Sequence, residues 1–477
     1  MSDLYALPIL SFRRTGGRDE RNYGRRPAYR PGFMPPRLSL REIDPVSWLT
    51  ALLLAAAFLL GGASQDDAWR PAVIEVLSLV VIGLALPRLQ MNGELKSLRP
   101  PLALAGLFLM LPLIQLIPLP LDVWARLPGH ADLAAALRRF GLAPGWLPLS
   151  LTPARTLDSF LWLLIPIGVF TGVAACSDRQ RRALLPIVVA AGIVSMLIGY
   201  LQLTRFGGAL RLYDITNPER PVGLFANRNH AALFILLGLP LAAAWLRLRR
   251  RRRESPQTLL NFAVLGALAA FAVVAVVVSH SRAGLGLALP AIAGAALLLL
   301  WRGELKRRWV VAVGLVVVAG VGAVGAVLTR SAWFAHRLAQ TGEDYRGTIW
   351  SGAVSLAERF SPTGAGMGSF AQVYPAVEHT ETLQAAFVNH AHNDYLEVWV
   401  CAGYAGVALT ALFMAWLAWR TLDAWRSKGA VLAQAGSVVV ALVAAHSLVD
   451  YPVRTPAIAA VVAFGCALLA LPRSSHA

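Results

Sequence analysis

The chain has 477 residues, of which 57% are hydrophobic and 15% charged, and a net charge of +18. An ordinary soluble domain carries about 25% charged residues, so this composition excludes a soluble globular protein. The basic excess would point first to nucleic acid in a soluble chain; here the cytoplasmic loops of a membrane protein account for it more simply, and no nucleic-acid partner is expected.

Residues 1–45 are polar, proline-containing and carry nine arginines. They read as a basic, disordered cytoplasmic tail. The first apolar block starts only near Val46 and many more follow, so the start is not a signal peptide. A membrane-crossing helix needs about 20 mostly apolar residues. The pattern predicts such helices near 46–63, 72–87, 101–119, 156–175, 184–203, 229–246, 258–278, 283–300, 309–328, 394–419, 430–449 and 456–471. The expected fold is therefore an all-α polytopic membrane protein of about twelve transmembrane helices. Polar and proline positions make the fourth and sixth candidates for broken helices. The bundle would span 46–471, with residues 472–477 as a cytoplasmic end.

Charge sets the orientation. With the N-terminus inside, five inner loops total 49 residues and hold 19 basic residues, whereas about 144 outer residues hold 15. The run 249–253, five consecutive arginines, is the strongest anchor. Both termini are then cytoplasmic. The long connections 120–155, 204–228 and 329–393 face the periplasm, and the last, between helices nine and ten, is the largest. The three cysteines, Cys176, Cys401 and Cys466, lie in or beside apolar blocks without metal-ligand spacing, so no disulfide framework is expected.

Four outer clusters hold the candidate chemistry. The first runs from Arg220 to His230 and includes Arg228 and Asn229. Arginine forks grip phosphate oxygens, and Arg220, Arg228 and Arg282 together suit a pyrophosphate. Simple interhelical packing by Asn and His is the competing account. The second, Ser279-His-Ser-Arg282, puts an arginine beside a helix N-terminus, where backbone N–H groups also favour anions; a snorkelling interfacial arginine fits equally well. The third runs from Tyr345 to Trp350 around Arg346. The fourth is Asn389-His-Ala-His-Asn-Asp-Tyr-Leu-Glu397. A histidine, with an ordinary pKa of about 6.5, suits a general base; loop carboxylates such as Glu378, Glu381 and Asp394 offer further ligands to His390 and His392, but no spacing argues for a metal site, and Asn393 or Asp394 also suits a helix cap. Gly364-Ala-Gly-Met-Gly368 has no strand–turn–helix context and reads as a flexible turn rather than a nucleotide loop.

These motifs resemble the O-antigen ligase superfamily over about 155–470. The most specific part is His392-Asn393, nine residues, then Gly403-Tyr-Ala-Gly406. Arg220 with Gly223 and Asn229 is similar to the family's first arginine motif, and Ser281-Arg-Ala-Gly284 to its second. Arg346 with Trp350, and Asp450-Tyr-Pro-Val-Arg454, also resemble recurring positions. The resemblance implies a metal-independent, inverting membrane glycosyltransferase of the inner membrane, without a cofactor. Its donor would be a glycan on undecaprenyl pyrophosphate, and its acceptor a hydroxyl of another glycan or of lipid A core, met on the periplasmic face. It implies His392 as base and Arg220 and Arg282 as holders of the pyrophosphate, with Arg228, Asn229, Arg346, Asn393 and Arg454 as further substrate-binding residues. A transporter or flippase for a lipid-linked or anionic glycan also suits the helix count, but the internal repeats and midplane sites common in transporters are not evident. A non-enzymatic assembly partner is a third reading, motivated by the basic tail.

Overall fold

The computed structural model describes residues 44–64, 68–205, 207–249, 256–300, 346–378, 387–427 and 429–471. The chain divides into Met1–Ile43 and Asp44–Ala477, and every described residue belongs to the second unit. The expected tail, the helix at 309–328, arginines 250–253, loop residues 329–345 and the terminal 472–477 lie outside the described residues.

The other eleven predicted segments are helices. In chain order come α1 (Pro45–Leu60), α2 (Trp69–Met91) and α3 (Arg99–Gln115), then two short helices, α4 (Leu121–Trp124) and α5 (Ala131–Arg139). The series continues with α6 (Pro153–Ala175), α7 (Asp178–Leu201), α8 (Arg228–Leu248), α9 (Pro256–Ser279) and α10 (Arg282–Leu300). Two more helices, α11 (Arg346–Phe360) and α12 (Phe370–Val373), precede α13 (Asp394–Arg426), α14 (Val431–His446) and α15 (Pro456–Ala470). Among the described residues, seven helices are long and apolar enough to cross a membrane: α2, α6, α7, α8, α9, α10 and α13. The apolar helices α1, α3, α14 and α15 have 15–17 residues. They rise only about 22–26 Å, against a hydrocarbon core of about 30 Å, so crossing would draw on flanking residues.

Burial ranks these helices. The apolar stretch of α8 is 83% buried, that of α9 only 28%. A helix apolar on all sides belongs at the centre of a bundle, and α8 packs against α7, α9, α10 and α14. A second hub, α6, packs against α1, α2, α3 and α15. The expected breaks in the fourth and sixth segments do not occur: α6 and α8 run on through Pro166 and Pro240.

The break lies in α13, at Gly403, with φ 57° and ψ −151°. Only glycine adopts this conformation readily, and a Cβ there would meet the Pro362 carbonyl oxygen at 2.0 Å. The break frees helix carbonyls in an apolar setting, where each must find a donor. The 361–368 loop supplies them: Ala365 N donates to Val400 O at 2.9 Å and Gly366 N to Cys401 O at 3.0 Å, while Tyr404 N donates to Pro362 O at 3.0 Å. Gln115 Nε2 also donates to Cys401 O, at 2.9 Å. The 364–368 segment is therefore a packed, hydrogen-bonded plug, not the flexible turn expected from its glycines.

The structure is mostly helical, consistent with the all-α expectation, with one small addition. Pro118–Pro120 (β1) and Trp146–Pro148 (β2) form a two-stranded antiparallel pair that brackets α4 and α5. Prolines at three of its six positions hid it, since proline gives no ladder donor; a single two-stranded edge tolerates them.

Candidate active site

Several helices begin or end around one carboxylate. The start of α8 is capped by Asn227, whose Oδ1 accepts from Asn229 N at 2.8 Å. Arg228 is thereby the first residue of that helix. Between α9 and α10, His280 takes a left-handed conformation at φ 54°, and Ser281 caps α10 by accepting from Gly284 N at 3.0 Å. Arg282 is the first residue of α10. The Ser281 hydroxyl donates to Asn229 Oδ1 at 2.8 Å and ties the two helix starts together. At α13, Asn393 Oδ1 accepts from Tyr395 N and Leu396 N.

Asp450, in the link between α14 and α15, is the meeting point and is fully buried. Its Oδ2 accepts from Asn229 Nδ2 at 2.7 Å. Its Oδ1 accepts from Tyr451 N at 3.0 Å and lies 3.2 Å from His392 Nδ1. Arg346 Nη2 and His446 Nε2 approach Oδ2 at 4.0 and 3.7 Å, and His230 Nε2 approaches Oδ1 at 4.0 Å. Burial pushes the Asp450 carboxyl up, but its contacts with His392 and His446 outweigh burial and hold it well below the usual carboxylate range. An ionised carboxylate only accepts, so His392 Nδ1 is the donor in this pair.

The His392 backbone is also constrained. Its φ of 49° is left-handed, which is uncommon outside glycine. Three contacts over-determine the segment. Glu397 accepts from Ala391 N at 3.0 Å and meets His390 Nδ1 at 3.0 Å. Trp350 Nε1 donates to His392 O at 3.3 Å. The ring of Tyr451 lies edge-on to His392 at 4.9 Å and tilted against His390 at 4.2 Å. Burial and the Asp450 charge push the Tyr451 phenol up, so it stays neutral.

Most residues singled out in the sequence come together here. His392, Asn229 and Arg346 share Asp450. Arg228 lies within the electrostatic reach of Arg220, Arg282, Arg346 and Asp450. Arg282 and Arg346 line one cavity of about 380 Å³. Two residues meet partners within the protein. Asn393 spends its side chain on the α13 cap and, through Nδ2, on Leu448 O at 3.0 Å. The Arg454 Nε faces Asp394 Oδ1 at 3.4 Å and Glu397 Oε1 at 3.6 Å. Burial disfavours the charged Arg454, but these two carboxylates outweigh it and keep it protonated. Sequence reasoning met Asp450 only as part of a motif and passed over His446 and the positioning role of Glu397. The signal available was a set of polar residues in the short link 447–455 between two apolar helices.

Fold and site together define a polytopic α-helical membrane protein with an arginine-rich, histidine–aspartate site at one end of its bundle. Residues 267–411 match the family model described as O-antigen ligase. The matched span holds Arg282, Arg346, His392 and Gly403. It supports the similarity to the O-antigen ligase superfamily and, with it, a ligase- or polymerase-type membrane protein with glycosyltransferase-like activity. Among the curated proteins none matches this chain.

Proposed function

We propose that the chain transfers a glycan from an undecaprenyl-pyrophosphate donor to an acceptor hydroxyl at the periplasmic face of the bacterial inner membrane. The observation that carries this reading is the His392–Asp450 pair beside Arg220, Arg228, Arg282 and Arg346. Asp450 fixes the tautomer that leaves His392 Nε2 as a base. That nitrogen takes the proton of the acceptor hydroxyl as its oxygen bonds to the donor's anomeric carbon. The bond from that carbon to the phosphate oxygen breaks, and undecaprenyl pyrophosphate leaves. Attack opposite the leaving group inverts the anomeric centre. The arginines balance the charge that grows on the pyrophosphate; such preorganised groups contribute about 10²–10³-fold each. The donor is already activated, so the transfer needs no nucleotide; the arginines supply the charge that a metal would otherwise bring to the pyrophosphate.

Arg228 and Arg282 open helices, where the macrodipole is positive and disfavours a cation. Placing arginines there makes sense for a site that receives an anion. Arg454 and Asn393 are assigned to holding the His392 loop rather than to substrate. The periplasmic placement rests on charge, because the connections at the opposite end carry the arginine-rich loops. It predicts that a cysteine placed at 219, in the 202–227 connection, reacts with an impermeant maleimide in spheroplasts, and one placed at 427 does not.

The test of activity is transfer by the purified protein in proteoliposomes from a lipid-linked glycan, with wild type active and His392→Ala silent. Flux of the lipid-linked glycan without a new glycosidic bond would replace the reading with a transporter. A deletion strain separates the two acceptors. Single repeats left on lipid A core indicate a polymerase, the form we favour; loss of all attached repeats with lipid-linked chains accumulating indicates a ligase.

A further inference from the structure

His446 closes α14 and is fully buried. Among the described residues neither of its ring nitrogens has a hydrogen-bond partner; the nearest charge is Asp450 Oδ2, 3.7 Å from Nε2. The other groups that face it are the His230 ring, 6.4 Å away between centroids, and the guanidinium groups of Arg282 and Arg346, which line the same cavity. Leaving a buried polar group unsatisfied costs about 1–3 kcal/mol. An imidazole so placed is explained when a ligand supplies the missing acceptor.

The cavity's chemistry names that acceptor. Its volume is about 380 Å³, and it lies between α10 and α14 with Leu287 and Val449 on its apolar walls and Arg282, Arg346 and His446 as its polar groups. Two guanidinium groups beside an imidazole suit phosphoryl oxygens, and the apolar walls suit a hydrocarbon attached to them. We propose that His446 is a donor-binding residue: its imidazolium bridges Asp450 Oδ2 and a phosphoryl oxygen of the polyprenyl pyrophosphate held by Arg282 and Arg346. In that form both ring nitrogens donate. The bridge couples the two halves of the reaction, because the carboxylate that orients His392 is also the one that steadies the leaving group's ligand. This inference rests on the donor reading above.

The test uses the full-length protein in nanodiscs of zwitterionic lipid, titrated with labelled undecaprenyl pyrophosphate. His446→Phe keeps the ring volume but removes the contact with Asp450, so it is expected to fold and to melt slightly below the wild-type temperature. Its affinity for the probe is expected to fall about ten- to hundredfold, the worth of a hydrogen bond to a charged group. His446→Asn, which restores one donor, should recover part of the loss. Inorganic pyrophosphate should displace the probe and phosphatidylglycerol should not. Unchanged affinity in His446→Phe overturns the proposal and leaves the donor reading standing. An affinity loss in His446→Phe that His446→Asn does not recover in part shows a structural imidazole, and displacement by phosphatidylglycerol shows an ordinary lipid headgroup site; either also overturns it. A wild type that neither binds the probe nor transfers glycan brings down the donor reading, and this inference with it.

Discussion

The two ends of the bundle use arginine in opposite ways. At one end Arg181 donates to Val173 O and Ala174 O, Arg247 to Leu298 O, and Arg420 to Leu469 O. These carbonyls belong to the last turns of α6, α10 and α15, which carry unpaired acceptors and a negative dipole. Arg88 similarly meets Asp44. Each cation completes a helix end. At the other end Arg228 and Arg282 sit on the positive ends of α8 and α10, near Arg220 and Arg346 and the carboxylate of Asp450. The first arrangement lowers the energy of the empty protein. The second places cations where the helix dipole disfavours them and an anion is favoured. Structure and function are thus separated along the helix axes by where the same side chain stands relative to the helix dipole.

The largest expected effects sharpen that contrast at the site end. His392→Ala should lower transfer about 10²–10⁴-fold, the usual worth of a positioned base, with the protein still present in the membrane at wild-type level. Asp450→Asn should cost a similar factor, because an amide no longer dictates the His392 tautomer. It should also change the acid limb of stability. The folded-state pKa of Asp450 is depressed, so its contribution is complete above the unfolded value of about 3.9 and drains away as pH falls towards the folded one. The variant should lack this loss in acid melting curves. Arg282→Gln should cost about 10²–10³-fold in transfer with the protein still present in the membrane at wild-type level. A stability loss as large as the activity loss would erase the distinction between the two ends.

Gly403→Ala comes next. It asks whether the break in α13 is built into the backbone. A side chain at φ 57° that meets Pro362 O at 2.0 Å should destabilise the protein by about 1–3 kcal/mol, read as a lower melting temperature in detergent. Retained wild-type melting would mean that α13 accommodates a regular turn there.

This glycine also marks how far the sequence can be read. His392-Asn393 and Gly403 are legible as a unit because one caps α13 and the other breaks it, and helix geometry fixes the distance between them. The apolar segments are legible for the same local reason. The partner of His392 is not, because Asp450 is 58 residues away and reaches it only through the packing of α13 on α14. Arg454 reads in the sequence as a substrate-binding residue, yet faces Asp394 and Glu397; nothing local distinguishes an arginine that meets a carboxylate from one that meets a phosphate. The 364–368 plug reads as a loose turn because glycine signals freedom in isolation, whereas here it permits close backbone contact.

The smallest expected effect is the sharpest test of the comparison. Arg420 donates to Leu469 O from Nε at 3.1 Å and from Nη2 at 2.8 Å, and Nη2 also donates to Leu471 O at 3.2 Å. Arg420→Gln removes the charge at the C-terminus of α15 but leaves a side-chain amide able to donate once. A cation at that position contributes about 0.3–1 kcal/mol, so the melting temperature should drop slightly. Transfer per folded molecule should not change, because the group lies at the end of α15 opposite Thr455, which bonds His230 at the site. The same exchange, arginine to glutamine, at Arg282 should instead lower transfer. An Arg420→Gln variant that folds normally and loses transfer would show that the two ends are coupled through α15, and that the division of labour between them does not hold.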